Sequence, residues 1–82
     1  MDITPYVGSA FRKLRERAGI SQEELAYRAG LDRTYVSGIE RGRRNPSLKS
    51  MQRVAAQLDV SLDHVFNLAR ELAVTGAESG DG

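Results

Sequence analysis

Residues 22–42 read QEELAYRAGLDRTYVSGIERG and divide into two short amphipathic helices about a tight turn. Ser21 stands where a side chain caps the first helix, and Glu24, three residues on, has capping-box spacing. Ile20 and Leu25 flank that cap as a hydrophobic staple. Gly30 falls where the helix must end, since glycine enters the left-handed conformation without strain. Asp32 then caps a second helix, with Leu31 and Val36 as its staple. A connection of about three residues predicts an angled pair of helices rather than one continuous rod.

The spacing also assigns faces. Leu25, Ala26 and Ala29 share one side of the first helix, and Val36 and Ile39 one side of the second. Ala26 is small where the two helices cross most closely. With these residues turned inward, Arg33, Thr34, Ser37, Gly38 and Arg41 face out. That face carries two arginines, no acid, and otherwise short polar groups. It suits the floor of a major groove, where a helix must come close to base edges.

The longer run from Ser21 to Phe66, SQEELAYRAGLDRTYVSGIERGRRNPSLKSMQRVAAQLDVSLDHVF, resembles the phage-repressor/Cro-type helix-turn-helix family, also called the xenobiotic-response-element family. Within it, residues 31–48, LDRTYVSGIERGRRNPSL, are similar to the controller proteins of restriction–modification systems. The resemblance covers residues 11–66 and implies an all-α, compact five-helix, lambda-repressor-like domain over residues 1–73. Helices two and three would form the helix-turn-helix, with helix three in the major groove and helix two across the backbone. The implied function is transcription regulation, through a palindromic operator bound by a homodimer. Double-stranded DNA and RNA polymerase are the implied partners.

By the same resemblance Arg33 and Thr34 match base-reading positions, with Ser37 a third reader. Gln22 would meet a phosphate, as would Tyr35 and Arg41. The family often carries a longer polar side chain where this chain has Gly38, so one base contact is expected to be missing. Related repressors also pair the glutamate at position 40 with an arginine on helix one, which here is Arg15.

Charge agrees with a nucleic-acid partner through its distribution, not its total. The net charge is +1, yet Arg41, Arg43, Arg44, Lys49 and Arg53 follow one another with no acid between them. Gly42-Arg43-Arg44-Asn45-Pro46 is a loop by composition, and its arginines are placed to hold phosphates.

The remaining helices follow from their stripes. Thr4-Pro5 opens helix one with a hydroxyl cap and a proline. Val7, Ala10, Phe11, Leu14 and Ala18 are its buried stripe; Gly8 has no evident reason. Ser47 caps helix four, which turns Leu48, Met51, Val54, Ala55 and Leu58 inward. Ser61 caps helix five, with Val60 and Val65 as its staple pair. Leu62, Val65, Phe66, Ala69 and Leu72 are more than one small core absorbs, so Leu62, Phe66, Ala69 and Leu72 are the expected dimer seam. Residues 74–82, VTGAESGDG, form a small acidic segment expected to be disordered.

Other classes find little support. Eighty-two residues make one small domain without cysteine, which excludes disulfides and thiolate metal sites. His64 is the one histidine and has no second ligand at metal spacing. No catalytic constellation, cofactor motif or effector pocket is apparent, and control by protein concentration is expected. No apolar run spans a membrane and no signal-peptide pattern opens the chain, so the cytoplasm is the default. The competing reading is an antitoxin-like interaction module. The polar C-terminal segment has little with which to wrap a toxin.

Overall fold

The computed structural model describes residues 2–76. Five helices follow one another: α1 (Thr4–Ala18), α2 (Gln22–Ala29), α3 (Arg33–Glu40), α4 (Leu48–Gln57) and α5 (Leu62–Thr75). No strand occurs among the described residues. α1 lies along α5, α2 packs on α3 and α4, and α3 also meets α1. Phe11, Leu25, Val36, Val54 and Val65 are almost fully buried where these helices converge. Two α-helices are thereby fixed at an angle over one apolar floor, which leaves the outer side of α3 free.

The caps fall largely where polar side chains precede apolar stripes. Ser21 accepts from the Glu24 amide, Asp32 from Thr34, Ser47 from Ser50 and Ser61 from His64. Glu24 turns its carboxylate to Arg28 one turn on, at 2.7 Å. Gly30 ends α2 at φ 69°, the left-handed conformation its position demands.

α1 begins differently from expectation. Thr4 is its first helical residue, and its amide donates to the Asp2 carboxylate at 3.0 Å. Asp2 therefore does the work assigned to the threonine hydroxyl. Ala18 is exposed at the last position of α1, and Leu48 is exposed at the first position of α4. Both lie at helix ends.

Gly8 has a structural reason. It is buried where α1 crosses the end of α3, and a β-carbon there would overlap the Ile39 carbonyl oxygen. The crossing is close only because the side chain is absent. α5 runs on through Thr75 and ends at Gly76, so the first residues of the expected disordered segment are helical. The rest of that segment lies outside the described residues.

Candidate nucleic-acid interface

α3 is held from below and from its first turn. Val36 and Ile39 are 1% and 3% exposed, which fixes the rotation of the helix about its axis. Asp32 accepts from both the amide and the hydroxyl of Thr34, each at 3.0 Å. Those bonds, the amide's first, hold the Asp32 carboxyl below its usual range, and the charge of Arg44 nearby pulls the same way. With the inner face committed, Arg33, Thr34 and Arg41 stand exposed, while Tyr35, Ser37 and Gly38 are half-buried at the outer surface. The Thr34 hydroxyl proton is engaged in the cap, which turns attention to its methyl group.

Behind this face sits a charged cluster. Glu40 is 2% exposed, and its carboxylate accepts from Arg15 Nε at 2.7 Å and Arg15 Nη2 at 3.1 Å. Gln22 Nε2 donates to the same carboxylate at 3.0 Å, and Arg15 Nη1 donates to the Ile20 carbonyl at 2.9 Å. The bidentate bond to Glu40 raises the Arg15 pKa further above its usual value. Three segments are tied through one carboxylate: α1, the start of α2 and the end of α3. Gln22 thus has a partner inside the protein, and the bond takes only one of its two amide protons.

The loop after α3 is bound back onto the helix. The amides of Arg43 and Arg44 both donate to the Gly38 carbonyl, at 2.8 and 3.1 Å. The aliphatic stem of Arg44 crosses directly over Gly38, where a β-carbon would meet its Cγ. Its guanidinium lies 5.9 Å from the centre of the Tyr35 ring. Sequence reading placed Arg43 and Arg44 together in the loop. The structure separates them: Arg44 belongs to the outer surface of α3 and Arg43 remains beyond its end. The missing side chain at position 38 is the room that Arg44 fills.

The four seam residues also divide. Ala69 and Leu72 are 0% and 7% exposed within one protomer, with Val65 and Leu68 beside them. They are core, because α5 presents the 65–68–69–72 stripe to α1. Leu62 and Phe66 lie on the flanking edge, half-buried. An open hollow of about 470 Å³ runs from Phe66 and Met51 past Ile3 and Val7 to Arg43 and Asn45. Sequence reading showed no such feature, since five separate segments contribute to it. No group of three metal-binding side chains occurs among the described residues, and none of their helices is long and apolar enough to cross a membrane.

A helix-turn-helix family model matches residues 11–65. The control protein C.MunI of Mycoplasma sp is 42% identical over 67 residues, covering 80% of this chain and 90% of that one. An HTH-type transcriptional regulator of Sinorhizobium fredii, y4dJ, is 44% identical over 61 residues, covering 74% and 79%. The restriction–modification controller protein C.Esp1396I, solved as a tetramer with its natural 35 base-pair operator, superimposes with a TM-score of 0.77. It is 38% identical over 87% of this chain and 93% of that one. Other solved forms of C.Esp1396I replace an arginine, a threonine or a tyrosine at three consecutive positions.

Proposed function

This chain belongs to the helix-turn-helix family of DNA-binding transcription regulators, and we propose that it reads an operator through the outer face of α3. The observation that carries the reading is the face itself. Arg33 and Thr34 stand exposed on a helix whose rotation is locked by Val36 and Ile39, with Ser37 beside them and Arg44 laid across Gly38. Arg33-Thr34-Tyr35 is also this chain's own arginine–threonine–tyrosine run, the three residue types replaced one by one in C.Esp1396I.

Roles follow from chemistry and reach. Arg33 has the planar fork that bonds guanine O6 and N7 together. Thr34 offers its methyl group to a thymine methyl. Ser37 supplies a short hydroxyl. Arg44, lying over α3, reaches base edges where a residue at position 38 would otherwise stand. Tyr35, Arg41, Arg43 and the second amide proton of Gln22 hold phosphates at the rim. α2 crosses the backbone, and two copies joined along the Leu62 and Phe66 edge of α5 address two half-sites. The protein acts by binding rather than catalysis, in the cytoplasm, by where it stands relative to RNA polymerase on a promoter.

The test is to measure binding of Arg33→Ala to a cognate and a scrambled duplex. We expect a loss of about 1–3 kcal/mol on the cognate site and little on the scrambled one. Equal loss on both would remove Arg33 from the base-reading set.

A further inference from the structure

A second polar feature lies beside the Arg15–Glu40 cluster. α1, the start of α2 and the end of α3 enclose a hollow of about 160 Å³ lined by Arg12, Arg15, Gln22, Glu40 and Arg41. Its one carboxylate is already engaged by Arg15 and Gln22. Arg41 has no carboxylate partner among the described residues. Arg12 does: its Nε lies 3.3 Å from Glu16 one turn along α1. The lining therefore carries three guanidinium groups against one satisfied acid, while a second acid outside it, Glu16, draws Arg12 aside.

Glu16 contributes little to stability where it stands. The pair with Arg12 is exposed on both sides, at 44% and 53%, where ion pairs are weakest. The arginine precedes the glutamate along the helix, the less favourable order for an i, i+4 pair. Glu16 also sits in the last turns of α1, toward the negative end of the helix dipole. Its charge acts on Arg15 as well.

We propose that this hollow seats a DNA backbone phosphate between Arg12 and Arg41, and that Glu16 attenuates binding by holding Arg12 until the phosphate replaces it. The proposal rests on the DNA-binding reading above. A phosphate oxygen and the Glu16 carboxylate compete for the same guanidinium, so DNA must break one weak ion pair to gain one phosphate contact. Glu16 also repels the incoming strand directly. Arg12 then adds to affinity without adding to sequence choice.

The experiment uses the full chain and two duplexes, cognate and scrambled, in a fluorescence-anisotropy salt series. Arg12→Ala is expected to weaken both duplexes alike and to flatten the salt dependence by about one counterion. Glu16→Gln is expected to tighten both by about two- to fivefold at low salt, the range of a surface ion pair, with the gain fading as salt rises. In an Arg12→Ala background the gain from Glu16→Gln is expected to shrink. A parental salt slope in Arg12→Ala overturns the phosphate seat, and a parental affinity in Glu16→Gln overturns the attenuation. Failure of the parent itself to bind any duplex would overturn the DNA reading instead, which keeps the two outcomes distinct. Thermal melting of each variant confirms that the fold is intact.

Discussion

Glu40 is the residue on which the geometry of the reading face depends. Its carboxylate is 2% exposed, and Arg15 and Gln22 between them occupy both of its oxygens. Removing either Arg15 or Glu40 leaves a buried charge without its partner, at a cost of about 3–5 kcal/mol. That is a large part of the stability of a domain this small, about 5–10 kcal/mol. Arg15→Ala and Glu40→Ala are each expected to melt far below the parent, and the double variant to lose less than the sum. Parental melting in either single variant would make the pair a surface contact. Gly8 makes a second residue-scale demand. Gly8→Ala drives a methyl group into the Ile39 carbonyl, so α1 and the end of α3 must separate. We expect a loss of about 1–3 kcal/mol in denaturant unfolding, although alanine favours the helix.

The elements are short, and their ends matter accordingly. α2 and α3 have eight residues each, too few to persist without caps and packing. Ser21→Ala is expected to cost about 1 kcal/mol, read from chemical denaturation. Asp32 makes the start of α3 sensitive to acid. Its carboxyl is held below the ordinary value of 3.8 by the amide and hydroxyl of Thr34. The folded value being the lower, the stability from this cap is complete above the ordinary value and is lost as pH falls through the folded one. Asp63, lowered by its bond from the Ser61 hydroxyl, and Asp2, lowered by Thr4, act in the same sense. The melting temperature is expected to stay level from about pH 7 to about pH 5 and to fall below about pH 4. Asp32→Asn keeps a good cap and is expected to flatten part of that fall.

These same elements show what a sequence discloses. Ser21, Gly30 and Asp32 announce α2, its end and α3, because caps and left-handed glycines act on neighbours in the chain. The inward turn of Val36 and Ile39 is equally local. Gly8, Arg44 and the hollow beside Arg12 are not legible, since each depends on a residue from another segment arriving within a few ångströms. The rotation of α5 belongs with them. Leu62, Phe66, Ala69 and Leu72 look equivalent along the chain, and only packing against α1 assigns Ala69 and Leu72 to the core.

At the scale of the molecule, one chain measures 32 × 23 × 22 Å and has one helix-turn-helix, α2 and α3, among the described residues. A full helical turn of DNA is about 34 Å, so on the proposed reading one chain addresses one half-site. Useful selectivity then requires a second copy related by symmetry. Leu62 and Phe66, half-buried on the α5 edge, are the apolar surface available for that contact. Leu62→Lys, which removes no fully buried group, is expected to shift sedimentation from dimer to monomer at about ten micromolar while the helical content is kept. A parental dimer in that variant would move the seam elsewhere. The central claim, that α3 reads DNA as one half of a symmetric pair, is tested most directly by selecting bound duplexes from a random pool. The enriched sites are expected to be two inverted half-sites about one helical turn apart, each with a guanine within reach of Arg33. Recovery of unenriched sequence, or of a single half-site without its inverted mate, would contradict it.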